Sequence, residues 1–189
     1  MRKLLFKSVL ALPLTERAPP VDERALAELA EKVQVTARRR LGRSLSIRQV
    51  DAGSCNGCEL EIHALNNAFY DLERFGFHFV ASPRHADVLL VTGPVTANMR
   101  VALERTYAAT PDPKWVVAVG ACALDGGIFA GSYGVAGGVG SVVPVDLHIR
   151  GCPPNPRDLL AGLLALMRRK LPKPSKGFRA GRPAPRAEP

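Results

Sequence analysis

The sequence predicts an α/β fold with a mainly parallel central sheet covered by helices on both faces. Three observations carry that expectation. Short apolar, strand-like runs alternate with segments whose apolar residues recur at helical spacing. Glycine and proline punctuate the boundaries between them. A length of 189 residues with 47% hydrophobic content suits one ordinary domain with a sizeable core and some flanking sequence.

The elements are expected in the following order. Residues 22–40, rich in alanine, leucine and glutamate, read as a helix that starts at Val21-Asp22 and stops at Gly42. Residues 45–51 form a strand. A Cys-x-x-Cys pair follows, and residues 59–70 continue as a helix from its second cysteine, with Leu60, Ile62, Leu65 and Phe69 at helical spacing. Residues 75–80 and 87–92 are short strands separated by a proline-containing turn. Residues 97–108 form a helix ended by Pro111 and Pro113, and residues 115–119 a strand closing on Gly120. The last strand, 142–149, runs into Gly151 and a proline cluster, after which 157–171 is an amphipathic helix. The organisation is therefore an N-terminal extension with one helix (1–44), a folded domain (45–167) and a basic, proline-rich tail (168–189). No internal repeat is present.

Net charge is +9, but it is not spread evenly. Residues 1–45 carry +5, residues 46–167 carry −3 and residues 168–189 carry +7, so basic flanks surround a mildly acidic body. The tail has only Phe178 for base stacking, which argues against nucleic acid and for docking on an acidic partner or on anionic lipid headgroups. The longest apolar run, 159–167, has nine residues and contains Gly162, too short to span a bilayer. Lys7 interrupts the apolar start, which argues against a secretory signal and for the cytosol.

Four cysteines in an unexported chain of this size point to metal ligands or redox groups more than to disulfides. In a parallel sheet, ligands sit beyond the carboxyl ends of the strands. Cys55 and Cys58 follow the first strand, Cys122 lies two residues after Gly120, and Cys152 follows the last strand, so the four are expected on post-strand loops at one edge and outside the core helices. Zinc and iron–sulfur clusters both accept four thiolates. One Cys-x-x-Cys and two isolated cysteines, separated by 64 and 30 positions, favour iron–sulfur over the paired knuckles of structural zinc, with inert thiols third. Gly53, Gly57, Gly120 and Gly151 lie within two residues of these cysteines and would let backbone amides approach bulky sulfur ligands. Residues 126–140 hold seven glycines but end in no GK[ST] and lack a strand-to-helix GxGxxG, so they read as a close-packed interface loop and not as a phosphate cradle.

The segments GSCNGCELE, SPRHADVLLVTGPVT, VGACALDGGIF and VPVDLHIRGCPPNP, in this order, resemble the small electron-transfer subunit of group 4 [NiFe] hydrogenases, including formate hydrogenlyase and hydrogenase-4 complexes. The superfamily also includes the B subunit of respiratory complex I. The resemblance covers about residues 45–167. It implies a flavodoxin-like domain holding one [4Fe-4S] cluster through Cys55, Cys58, Cys122 and Cys152. Cys55-Asn56-Gly57-Cys58 stands where complex I B subunits have two adjacent cysteines, which favours the hydrogenase branch and keeps a complex-I-type NADH:quinone oxidoreductase subunit as the alternative. A zinc-stabilised interaction or nucleic-acid-binding protein is a distant third.

The implied role is that of a non-autonomous subunit of an oxidoreductase. It would pass electrons between a [NiFe]-hydrogenase-like large subunit and a ferredoxin-like iron–sulfur subunit, in a complex with membrane-arm subunits, peripherally on the cytoplasmic face of the cell membrane. Glu61 falls where the family commonly has an acidic residue and is a candidate proton relay, against a plain solvated first-turn glutamate. Glu59 reads as such a helix-start charge. Arg84 and His85, on the loop before a strand, are candidates for offsetting the cluster's negative charge, while His63, His78, His148, Met99 and Met167 read as structural.

Overall fold

Seven strands and four α-helices follow one another between residues 44 and 169 of the computed structural model. The described residues are 44–169, together with Arg24, Ala25, Glu28, Glu31, Lys32, Val35, Thr36 and Arg39, all eight of them helical. The remainder of the expected 22–40 helix, and the tail from 170 onward, lie outside the described residues. The strands are β1 (Leu45–Asp51), β2 (Phe77–Phe79), β3 (Val88–Thr92), β4 (Val95–Thr96), β5 (Trp115–Val119), β6 (Val135–Gly137) and β7 (Leu147–Ile149). The helices are α1 (Gly57–Ala64), α2 (Ala97–Ala109), α3 (Ala121–Asp125) and α4 (Pro156–Arg168). No helix among the described residues is long and apolar enough to cross a membrane.

Five strands form one all-parallel sheet in the order β2-β1-β3-β5-β7. That is the flavodoxin-like order, in which the chain leaves β1 to one side and β3 to the other. Because side chains alternate across a strand, each strand feeds two cores. Leu45, Ile47, Val88, Leu90, Val117 and Ile149 face α1 and α4. Leu89, Val91, Val116 and Ala118 face Leu103 and Tyr107 of α2, with Val139 from the glycine-rich segment and Val143 just beyond it.

The bounds of β1 and β5 match the sequence expectation, and three other elements are shorter than expected for local reasons. The helix after the cysteine pair ends at Ala64 because Asn67 Oδ1 accepts the N–H groups of Phe69 and Tyr70, both at 2.9 Å, and turns the chain. Residues 72–75 form a 3-10 turn before β2. The run 142–149 is a strand only at Leu147–Ile149, because Pro144 cannot donate to a ladder and Val139–Ser141 is a 3-10 turn. At α4 the start is one residue earlier than expected. Asn155 Oδ1 accepts from the Asp158 N–H at 3.0 Å while Asp158 Oδ2 accepts from the Asn155 N–H at 3.4 Å, and Pro156 occupies the first helical position.

Lys114 ties the end of α2 to the start of β5. It is buried, and its Nζ donates to the carbonyls of Tyr107 (2.9 Å) and Thr110 (2.8 Å) while lying 4.2 Å from the centroid of the Tyr107 ring. A cation at a helix C-terminus is favoured by the exposed carbonyl ends. Lys114→Met is expected to cost about 2 kcal/mol, read as a lower urea midpoint with an unchanged slope.

Candidate metal centre

The carboxyl end of β1 is shaped by Asp51. Its Oδ1 accepts the N–H groups of Gly53 and Ser54, both at 2.8 Å, and Ser54 Oγ then accepts the Asn56 N–H at 3.1 Å. These local bonds divert the chain out of the sheet, place Cys55 on an exposed loop and start α1 so that Cys58 sits in its first turn. At the end of β5, Gly120 N–H donates to the Ile149 carbonyl and Ala121 N–H to the Gly151 carbonyl, each at 2.8 Å. The segments carrying Cys122 and Cys152 are thereby bonded to each other.

Position 120 is where three chain segments meet. A Cβ built on Gly120 would stand 2.7 Å from Cys58 Sγ and 3.6 Å from the Gly151 carbonyl oxygen. Gly120 also has φ +90° with ψ 163°, a backbone region that side-chain-bearing residues rarely enter. On the opposite side, a Cβ on Gly57 would lie 3.6 Å from Cys55 Sγ and 3.9 Å from Pro153, the neighbour of Cys152. A Cβ on Gly127 would lie 2.9 Å from Cys122 Sγ. Cys55, Cys58 and Cys122 are thereby placed at the carboxyl edge of the sheet, with Cys152 on the segment whose Pro153 passes beside Gly57.

Two of the four depart from the loop placement expected from sequence. Cys58 is inside α1, and Cys122 is buried inside the five-residue α3. A glycine-flanked short helix has no periodicity long enough to be seen in a sequence. Cys55 and Cys152 are exposed, as loop residues should be, and none of the four is in a disulfide.

Among the described residues, no positive group is among the causes acting on the Cys58 and Cys122 thiols. Burial, then the Glu59 carboxylate, then the other three cysteines push the Cys58 thiol from 9.0 up to about 12. Cys122 is also raised, by burial first and then by Cys152, Cys55 and Asp125, with the Ile128 backbone N–H pulling the other way. The sign follows from linkage. Unfolded chain releases the Cys58 proton near pH 9 and folded chain holds it to about 12, so over that window the unfolded state binds fewer protons and stability falls as pH rises. In the iron-free, reduced chain, urea unfolding at about pH 8 and about pH 10 should show this loss, at no more than about 1 kcal/mol per pH unit. Cys58→Ser should flatten the slope.

Glu59 is not the solvated helix-start charge the sequence suggested. It is 6% exposed and neither carboxylate oxygen has a hydrogen-bond partner among the described residues. Its composition context gave no sign of this, because burial depends on what packs over the first turn of α1. Glu61 is half-buried on the same helix. Arg84 and His85 are exposed on the 3-10 turn between β2 and β3, with no side-chain hydrogen bond or ion pair to a described residue. The glycine-rich segment forms β6, which pairs antiparallel with β4, and it displays Ile128 and Tyr133, 81% and 106% exposed.

Among the described residues, no three His, Cys, Asp or Glu side chains converge closely enough to hold a single metal ion. A tetrahedral zinc with sulfur at ~2.3 Å needs sulfurs within about 4 Å of one another.

The architecture and its edge define a flavodoxin-like α/β domain presenting four thiols beyond the carboxyl ends of three strands. The chain belongs to the family described as NADH ubiquinone oxidoreductase, 20 Kd subunit, whose pattern it matches over residues 55–166. It is 44% identical over 147 residues to formate hydrogenlyase subunit 7 of Escherichia coli (strain K12), covering 76% of this chain and 58% of that protein, so it spans little more than half the length of that relative. It is 47% identical over 137 residues to the probable membrane-bound hydrogenase subunit mbhJ of Pyrococcus furiosus, covering 72% of this chain and 81% of that one. Among solved structures it resembles a chain of the membrane-bound sulfane sulfur reductase, an archaeal respiratory membrane complex, with a TM-score of 0.60, 38% identity and coverage of 71% and 73%.

Proposed function

We propose that this chain is the electron-transfer subunit of a membrane-bound, group 4 type [NiFe] hydrogenase complex, holding one [4Fe-4S] cluster through Cys55, Cys58, Cys122 and Cys152. The observation that carries the reading is the convergence of three strand ends around Gly120, where Cys58, Gly151 and the start of α3 meet. When bound, such a cluster supplies one-electron exchange without bond making in a substrate. The residues of the chain do the rest. Cys122 is buried, Gly120 and Gly127 keep backbone close to the sulfurs, and Cys58 and Cys122, whose thiols are raised, would release their protons to solvent on ligating iron.

In this reading the chain lies peripherally on the cytoplasmic face, between a [NiFe]-hydrogenase-like large subunit and a ferredoxin-like subunit, near membrane-arm subunits. Glu61 relays protons at the large-subunit face. Arg84 and His85 offset the negative charge at long range, since neither hydrogen-bonds to a thiol. The Cys55-Asn56-Gly57-Cys58 spacing favours this branch over a quinone-reducing one.

Anaerobic purification of the native complex tests the assignment. About four irons at this chain, no zinc, and a low-temperature EPR signal on dithionite reduction are expected. Zinc in place of iron, or a chain that never carries iron, overturns it. A large subunit containing nickel separates the hydrogenase reading from a quinone oxidoreductase.

A further inference from the structure

A cavity of about 280 Å³ opens between β1, α1 and the chain leaving β2, lined by Arg48, Gln49, Ile62, His63, Asn66 and Phe79, with Val80 and Ala81 completing it. It exists because β2 stops early. Ile47 pairs with Phe79 and accepts from the Val80 N–H, whereas β1 runs on to Asp51 with no strand of the described residues on that side. Arg48 Nε is buried there without a hydrogen-bond partner, and the Arg48 side chain makes no hydrogen bond or ion pair with any described residue. The Gln49, His63 and Asn66 side chains also make none.

The half-buried guanidinium has its terminal nitrogens open to the cavity with no acceptor among the described residues, so the donors a ligand can reach are those two and not the enclosed Nε. We propose that this cavity binds a carboxylate, presented by an acidic side chain of a partner subunit. A single guanidinium balances one negative charge, and Asn66 and Gln49 add neutral donors. A dianion would add excess negative charge to a body that already carries −3 between residues 46 and 167. The walls formed by Ile62, Phe79, Val80 and Ala81 take the short aliphatic stem of an aspartate or glutamate. A free small acid has the same chemistry, but a lone charge pair in an open cavity is weak unless the carboxylate is held at high effective concentration by an assembled surface. The partner belongs to the complex proposed above, so the occupant rests on that assembly and not on the cluster, since no cysteine lines the cavity.

Footprinting with phenylglyoxal, read by mass spectrometry at Arg48, tests it on the full chain and on the native complex. In the isolated chain Arg48 is expected to react. In the complex, washed free of small acids, it should react roughly tenfold more slowly, and Arg48→Gln should lower the yield of assembled complex by a similar factor while Arg48→Lys restores most of it. Saturable protection of the isolated chain by propionate at constant ionic strength, with Arg48 still reactive in the washed complex, keeps the carboxylate site and assigns it to a free acid. Equal reactivity in the isolated chain, the propionate-treated chain and the washed complex overturns the proposal. So does an Arg48 already protected in the isolated chain without added acid, which would mean that the chain's own residues fill the cavity. Circular dichroism of both variants separates failed assembly from failed folding.

Discussion

Cys122→Ser is expected to abolish electron transfer through the complex, by about a hundredfold or more, while leaving the α/β fold in place. Loss of one of four proposed ligands is a larger insult than the loss of an outer-shell partner, which alone costs on the order of 10- to 100-fold in metal affinity or activity. Cys122 is also the most buried of the four, so no water reaches it easily to replace the missing sulfur. The fold should survive because the two cores are built from other residues and serine is close in size. Iron content, EPR amplitude and far-UV circular dichroism of the variant check the three parts separately. Full iron retention with normal turnover would remove Cys122 from the ligand set.

Gly120→Ala should be nearly as damaging although it removes no proposed ligand. The added methyl would stand 2.7 Å from Cys58 Sγ, closer than carbon and sulfur tolerate, and φ +90° must be kept for the Gly120 N–H to reach the Ile149 carbonyl. Backbone strain of this kind costs about 1–3 kcal/mol before the clash is counted. The expected result is a lower unfolding midpoint together with substoichiometric iron. An alanine variant as stable as wild type with full iron would show that the three segments do not meet as described.

How far this was legible in the sequence depended on the length of each signal. β1 and β5 are runs of five to seven residues with turn residues at their ends, so their bounds could be read directly. The helix at the C-terminal side carries its own start signal in Asn155, Pro156 and Asp158. The four cysteines stood out by type and spacing. β4 and β6, with two and three residues, exist only because each pairs with the other, and no local pattern announces them. The helical settings of Cys58 and Cys122, the burial of Glu59 and the cavity at Arg48 are products of packing between segments distant in sequence.

That distance has a temporal side. The first and last thiols of the edge are separated by nearly a hundred positions, and β3, β5 and β7 must be zipped in parallel before residues 58, 120 and 151 become neighbours. Parallel pairings of this span close slowly, because each long loop must be ordered before any contact compensates. A nascent chain shorter than 152 residues lacks one of the sulfurs altogether. Under the proposed assignment, loading of metal must come after synthesis of the edge is complete, and a chain released but not yet loaded displays two solvent-facing thiols, Cys55 and Cys152, open to oxidants.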